Sequence, residues 1–444
     1  MDIDRIFKAY DVRGVYPDEI DQEVAHRTGR AFVDFLGARK VIVGRDARAS
    51  SEPLSTAFIA GAVAQGADVV DIGLASTDML YFASGVLDAP GAMFTASHNP
   101  PKYNGIKMCR AAAAPIGENS GLLDIKEMVR ANEAAPVRRT GRIEQRDMLD
   151  DYVKHVLSFV DVSKLRPLVV VADAANGMGG LTVPSVFAQL PFELIPLYLE
   201  IDGTFPNHPA DPLQPENLRD LQDAVLRNGA AVGLAFDGDA DRCFIVDEKA
   251  QPVSGSLTAA LVARSILRKN PGETVIHNII CSRVVPETIR EHGGTPVRTR
   301  VGHSFVKKVM AETGAIFGGE HSGHYYFRDF WRADSGLVAA LHVLEAISEE
   351  NAPLSEVLAA LQRYWNSGEV NIEVSDQQGA MERVAASFAD ATPDWSDGLT
   401  VEFADWWFNL RPSNTEPLLR LNVEARDAAG GETRRDEILS IVNG

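Results

Sequence analysis

Cysteine is scarce and unpatterned. The chain has three, Cys109, Cys243 and Cys281, with no Cys-x-x-Cys spacing among them. A disulfide framework and a structural zinc site are therefore not expected, and a reducing compartment fits best. Long apolar runs are missing as well. The longest, around residues 336–344, is interrupted by His342 and falls far short of the roughly 20 residues a membrane-spanning helix needs. The amino terminus, Met1-Asp2-Ile3-Asp4-Arg5, is charged and leads into no apolar stretch, so no signal peptide is expected. Positive charge is in deficit too: 43 Lys and Arg against 62 Asp and Glu leave a formal net charge of −19. Nucleic acid and anionic membranes both require summed positive potential, so neither is an expected partner. Phosphate groups can still bind where Lys, Arg, a metal or a helix N-terminus inverts the field locally. The expectation is a cytoplasmic, soluble protein, monomer or homodimer.

What is present is a long globular chain. Its 444 residues exceed one ordinary core and suggest three or four domains, at roughly 100–150 residues each. The apolar fraction of 45% and charged fraction of 24% are those of a soluble protein. One pattern occurs three times: a continuous apolar, β-branched run, a polar or glycine-rich end, then a helix-period segment. The runs are Lys40-Val41-Ile42-Val43, Leu168-Val169-Val170-Val171 and Thr274-Val275-Ile276. Such alternation predicts α/β units with mixed, mainly parallel sheets covered on both faces. Similar exits, Gly66-Ala67-Asp68-Val69-Val70 and Gly293-Gly294-Thr295-Pro296-Val297, follow the first and third helices. The C-terminal part differs: residues 419–426 alternate apolar with polar, as a half-exposed strand does. The fold expected is three related α/β domains, at 1–150, 151–255 and 256–365, and a smaller α+β domain at 366–444.

Four loops carry the chemistry. Ser97, in Thr95-Ala96-Ser97-His98-Asn99-Pro100, follows an apolar run and so lies where a strand ends, the favoured place for ligands in open α/β sheets. A loop serine is ordinarily a turn cap, and a Gly-x-Ser-x-Gly elbow is absent, so a hydrolase is disfavoured. Asp237-Gly238-Asp239-Ala240-Asp241-Arg242 places three carboxylates at spacing two between apolar runs. They cannot share a small volume without a cation, and Mg²⁺ suits few carboxylates plus a phosphate oxygen. A calcium-binding EF-hand is excluded by Arg242 at its glycine position and by strand-like flanks. Gly318-Gly319-Glu320-His321-Ser322-Gly323-His324 combines a carboxylate, a hydroxyl and imidazoles able to grip a polyol; if extended, Glu320, Ser322 and His324 point the same way. Arg411-Pro412-Ser413-Asn414-Thr415 offers a guanidinium, hydroxyls and backbone N–H groups, which suit phosphate as well as a plain surface turn. Arg13 and Lys107 stand in comparable polar segments, where a solvated charge is equally in keeping.

Taken in this order, with Tyr10-Asp11-Val12-Arg13-Gly14 and Gly44-Arg45-Asp46 ahead of them, these segments resemble the α-D-phosphohexomutase family along nearly the whole chain. The resemblance implies four domains around a central cleft, and a mutase that passes a phosphoryl group through a hexose 1,6-bisphosphate, which is both intermediate and activator. It assigns Ser97 as the phosphoserine and Asp237, Asp239 and Asp241, with Ser97, as Mg²⁺ ligands. Lys107 and His324 correspond to acid/base groups, and Arg13 and Arg242 lie near the reacting phosphate. Tyr10, His303, Glu320 and Ser322 correspond to sugar contacts. Arg411, Ser413, Asn414 and Thr415 correspond to the site of the non-reacting phosphate, with Arg420 or Asn422 as the last-strand polar group. Where some bacterial members carry a Lys, this chain has Asn278-Ile279-Ile280-Cys281-Ser282-Arg283, with Arg283 as the nearby cation. The expected activity is mannose 6-phosphate/mannose 1-phosphate interconversion. The alternatives are glucose phosphates or both; glucosamine phosphate is disfavoured by His321 after Glu320, and a non-catalytic sugar-phosphate binder by the joint presence of Ser97, Lys107 and the three Asp.

Overall fold

The apolar runs form strands, and their pairing reveals a plan that repeats three times. The computed structural model describes residues 2–132, 135–136, 139–413 and 418–444. The first domain holds β1 (Val12–Val15), β2 (Lys40–Arg45), β3 (Asp68–Leu74), β4 (Gly91–Phe94), β5 (Tyr103–Cys109) and β6 (Ile143–Gln145), in the sheet order β1-β5-β4-β2-β3-β6. The second holds β7 (Val169–Asp173), β8 (Glu193–Leu197), β9 (Val232–Phe236), β10 (Cys243–Asp247) and β11 (Pro252–Val253), ordered β11-β10-β9-β7-β8. The third holds β12 (Thr274–Asn278), β13 (Thr295–Thr299), β14 (Phe317–Gly319) and β15 (Tyr325–Phe327), ordered β13-β12-β14-β15.

In each sheet a central strand (β2, β7, β12) is flanked by two parallel neighbours. A hairpin then brings back an antiparallel strand (β5, β10, β15) beside the third one. The three hairpin loops are thus equivalent places in the repeat. They carry, in turn, Ser97, the Asp237–Arg242 segment and the Glu320–His324 segment. All three lie at the carboxyl ends of parallel strands, where open α/β sheets collect ligands.

Helices cover the sheets. Helix Gln22–Leu36 is capped by Asp21, whose carboxylate accepts from Val24 N–H. It meets helix Ser51–Ala64 backbone to backbone: a Cβ on Gly29 would lie 2.2 Å from the Phe58 carbonyl oxygen, and one on Gly61 2.1 Å from that of His26. The apolar stretch around residues 336–344 is the start of helix Gly336–Glu350, buried almost all round in the core. Among the described residues no helix is long and apolar enough to cross a membrane.

The largest apolar cluster runs without a break from Ile42 in the first sheet through Val170 and Val275 to Leu358. The fourth domain has a core of its own, including Ile372, Leu399, Phe408, Leu421 and Ile438. Its sheet is antiparallel: β16 (Trp365–Glu373), β17 (Leu399–Glu402), β18 (Trp406–Pro412) and β19 (Leu418–Ala425), ordered β16-β19-β18-β17. The expected half-exposed last strand is corrected here. Both faces of β19 are largely covered, with Asn422 and Glu424 buried beside Leu421 and Val423. The polar face docks on the third domain, where Glu424 accepts from Arg283 N–H at 2.9 Å and from the Trp407 indole at 2.8 Å. The Arg283 guanidinium donates to the carbonyls of Phe403, Ala404 and Trp406 at 2.6–3.3 Å and so anchors the fourth domain.

Candidate active site

Ser97 has φ of 50°, in the left-handed region that serine seldom adopts and that marks strained functional positions. A buried arginine holds it there. Arg48 donates to the carbonyl oxygens of Ser97, Asn99 and Pro100 at 2.7 Å each and of Tyr103 at 3.1 Å, while its Nε pairs with Asp46 at 3.0 Å. Nothing in the sequence singles out Arg48, beyond its place two residues after Asp46 at the end of β2. Arg48→Ala strands the Asp46 carboxylate without its cation, and loss of one partner of a buried pair costs roughly 3–5 kcal/mol. Denaturant unfolding of the variant is expected to read a loss of that size.

The serine and aspartate loops meet between the first two domains. Ser97 Oγ donates to Asp237 Oδ2 at 2.7 Å, and Arg242 approaches the same Oγ at 3.4 Å and the Asp237 carboxylate at 2.9 Å. Asp237, Asp239 and Asp241 are all fully buried, with one oxygen of each within 4.8 Å of the others. Lys107 Nζ, on β5, sits 2.7 Å from Asp239 Oδ2 and 2.6 Å from Asp241 Oδ2. Thr77 braces Asp239, its N–H donating to the Asp239 carbonyl at 3.0 Å and its hydroxyl to the carboxylate at 2.5 Å. Two cations thus face three carboxylates. Burial lifts Asp237 to about 7 in spite of Arg242. At Asp239 burial is overridden, chiefly by Lys107, and the carboxyl is held below its usual range. Burial opposes the Lys107 ammonium, yet Asp239 and Asp241 keep its pKa well above the ordinary value.

Asp239 Oδ1 and Asp241 Oδ1 are buried without a hydrogen-bond partner. An unsatisfied buried carboxylate oxygen is costly, and a hard cation that takes oxygen ligands would satisfy both. The donor set fits such an ion.

The third loop is a reverse turn and not an extended stretch, because Glu320 and His324 pair backbone to backbone as the ends of the β14–β15 hairpin. Its side chains consequently diverge. Glu320 is buried and accepts from Asn278 at 3.1 Å, Gly302 N–H at 3.0 Å and the Tyr326 hydroxyl at 2.6 Å. His324 turns toward the aspartates, its Nδ1 2.9 Å from Asp334 Oδ2, and Lys307 pairs with Asp334 Oδ1 at 2.9 Å. Burial would lower His324, but the Asp334 bond and the Asp241 charge raise it. Ser322 is half-buried beside them. Tyr10 lies edge-on to His303 at 5.0 Å between ring centroids, and burial followed by Lys307 lowers His303 to about 3. Arg13 donates to Asn99 and Asp11, both at 2.5 Å, which ties it to the serine loop.

Arg411 lies on β18, directly across the ladder from Arg420 on β19, and Ser413 N–H closes the strand pair on the Leu418 carbonyl at 2.9 Å. Asn422, two residues further, shares the face of β19 with Arg420, and it is Arg420 that stands opposite Arg411. Asn414 and Thr415 lie outside the described residues. The structure therefore gathers Ser97, Lys107, Arg242, the three Asp and His324 in one cluster. Tyr10, His303 and Glu320 stand around Gly302, and Arg411 and Arg420 stand on the fourth domain.

Comparison with known proteins gives the same division of the chain. Residues 4–135, 150–251 and 254–364 match phosphoglucomutase/phosphomannomutase alpha/beta/alpha domains I, II and III, and residues 369–441 match the C-terminal domain of that family. The phosphohexose mutases of Xanthomonas campestris pv. campestris are 43% identical over 443 residues, 99% of either chain. The phosphomannomutase of Escherichia coli K12 is 40% identical over 449 aligned residues, 98% of either chain. The crystal structure of a phosphoglucomutase/phosphomannomutase family protein from Burkholderia thailandensis superposes with a TM-score of 0.89 at 35% identity, covering 98% of this chain and 96% of that one. The repeated hairpin loops, with their serine, aspartates and polar turn, are the work of one known lineage: the chain belongs to the phosphoglucomutase/phosphomannomutase family.

Proposed function

We propose that the protein is a phosphomannomutase, interconverting mannose 6-phosphate and mannose 1-phosphate through a phosphorylated Ser97. The observation that carries this reading is the Ser97 hydroxyl held 2.7 Å from Asp237, within a buried aspartate triplet, in a chain 40% identical throughout to a phosphomannomutase. Phosphoryl transfer asks a protein mainly for positioning and charge neutralisation. Asp237, Asp239, Asp241 and the Ser97 phosphate would hold Mg²⁺, which when bound would supply charge neutralisation for the transferring group. Arg13 and Arg242 flank that phosphate. Lys107, kept an ammonium by Asp239 and Asp241, suits charge neutralisation; Lys107 and His324, the latter oriented by Asp334, correspond to the acid/base groups.

The other phosphate of the hexose binds Arg411, Ser413, Asn414, Thr415 and Arg420, far along the chain from the serine. Tyr10, His303, Glu320 and Ser322 contact the sugar between these two ends. Ser97 phosphate passes to the free hydroxyl and gives hexose 1,6-bisphosphate, which turns end over end and rephosphorylates Ser97. Added bisphosphate accordingly activates enzyme that has lost its phosphate. The separate core of the fourth domain lets it close over the cleft while the bisphosphate is inside. The domains are taken as 1–150, 151–255, 256–365 and 366–444, and the enzyme as cytoplasmic, a monomer or homodimer.

A second reading, activity on glucose phosphates as well, is favoured by the 43% identity to proteins named phosphohexose mutases. Rates on mannose 1-phosphate, glucose 1-phosphate and glucosamine 1-phosphate, measured side by side with Mg²⁺ and hexose 1,6-bisphosphate, decide between them. Mannose 1-phosphate is expected to react fastest and glucosamine 1-phosphate slowest. Faster turnover of glucose 1-phosphate than of mannose 1-phosphate would reverse the assignment.

A further inference from the structure

The two arginines of the fourth domain already hold an anion, and it is one of the protein's own. Arg411 and Arg420 face each other directly across the β18–β19 ladder, an arrangement in which like charges repel. Glu369, on the neighbouring strand β16, lies between them. Its Oε2 accepts from Arg411 at 2.9 Å, and its Oε1 pairs with Arg420 at 3.2 Å. The backbone is shaped for this contact: β16 shifts register between Asn366 and Glu369, and Gly368 there has φ of 65°. The arginine side that faces inward is not saturated. Arg411 is 6% exposed, and its Nε is buried without a hydrogen-bond partner among the described residues. The ion triple also borders the sugar turn, since both Glu369 and Arg411 act electrostatically on His321 next to Glu320.

Glu369 thus offsets positive charge of both guanidiniums where a phosphate dianion is to bind. We infer that Glu369 is an internal competitor for the phosphate-binding arginines, keeping them apart when no ligand is bound and loosening their hold on phosphate. This rests on the reading above, in which Arg411 and Arg420 take the non-reacting phosphate. A loose hold has a purpose in that scheme. The bisphosphate must release one phosphate from this site and present the other on each turnover, so arginines without the Glu369 contact would retain the intermediate longer. Glu369 is thus a positioning residue, acting on substrate through the arginines.

The test is titration calorimetry of the full-length protein with inorganic phosphate, together with steady-state kinetics. Glu369→Gln keeps the shape and removes the competing charge. It is expected to tighten phosphate binding by about five- to tenfold and to lower KM and kcat together. A merely structural role for Glu369 predicts the opposite, weaker phosphate binding and a raised KM. Arg411→Ala serves as the reference and is expected to weaken phosphate binding. Unchanged or weaker binding in Glu369→Gln, with Arg411→Ala still weakening it, overturns the inference and leaves the phosphate site standing. Unchanged binding in Arg411→Ala overturns the site and the inference with it. Should Glu369→Gln not fold, Glu369→Asp, too short to reach both arginines, is titrated against the same two outcomes, tighter binding supporting the inference.

Discussion

Ser97→Ala is expected to abolish mutase turnover, by roughly 10⁴-fold or more in kcat, as removal of a covalent nucleophile does elsewhere. The change deletes the one atom proposed to carry the phosphoryl group. The structural cost is small: Ser97 Oγ makes one strong hydrogen bond, to Asp237, worth about 1 kcal/mol, and Asp237 keeps its Arg242 partner. Arg48 grips the loop through backbone carbonyls that alanine retains. The variant should therefore fold, bind hexose phosphate and fail to turn over. A coupled assay on mannose 1-phosphate, read beside the unfolding curve, separates loss of chemistry from loss of fold. Activity within tenfold of the wild type would remove the serine from the mechanism.

Asp239→Asn is expected to lower kcat beyond the roughly 10–100-fold that follows loss of a group merely supporting a metal ligand. Asp239 is braced by Thr77 and bonded to Lys107, with its other oxygen unpaired among the described residues. Lys107 holds the Asp239 carboxyl below its usual range, so removing the charge takes a favourable interaction from the folded state, and the metal-free variant should be less stable than the wild type near neutral pH. The rise in Tm that Mg²⁺ gives the wild type should be smaller or lost, because an ion that binds only the folded state stabilises it in proportion to its affinity. Arg411→Ala provides the contrast: lost phosphate contact should chiefly raise KM. Equal kcat losses in the two variants, or an undiminished Mg²⁺ effect on Asp239→Asn, would speak against the metal role.

Much of the site is legible in the residues because its chemistry is local. Three Asp at spacing two with apolar flanks already demand a cation and a strand–turn–strand setting, and the structure places them between β9 and β10. Ser97 is legible only through its company, since nothing local distinguishes a phosphate carrier from a turn cap. The repeat of strand and helix is legible in the Val and Ile runs. The equivalence of the three functional loops is not: they share no residues, and only the pairing of β4 with β5, β9 with β10 and β14 with β15 reveals it. Arg48 escapes notice for a related reason. An isolated Arg reads as solvated until the fold wraps four carbonyls around it. The same holds for Glu424 and Asn422, whose alternation with apolar residues signals an exposed face that the third domain in fact covers. Glu320 and His324 diverge because the hairpin closes on them, a geometry that spacing alone does not specify. Arg283, in the segment where some bacterial members carry a lysine, is drawn into the contact between domains.

The central claim is that Ser97 carries phosphate, and intact-mass spectrometry reads it directly. Incubation of the purified full-length protein with hexose 1,6-bisphosphate and Mg²⁺ should produce a species heavier by about 80 Da, with the added mass on the peptide containing Ser97 and absent from Ser97→Ala. That species should lose the added mass when mannose 1-phosphate is supplied in excess. A protein that never gains the mass under these conditions, or gains it equally in Ser97→Ala, contradicts the account.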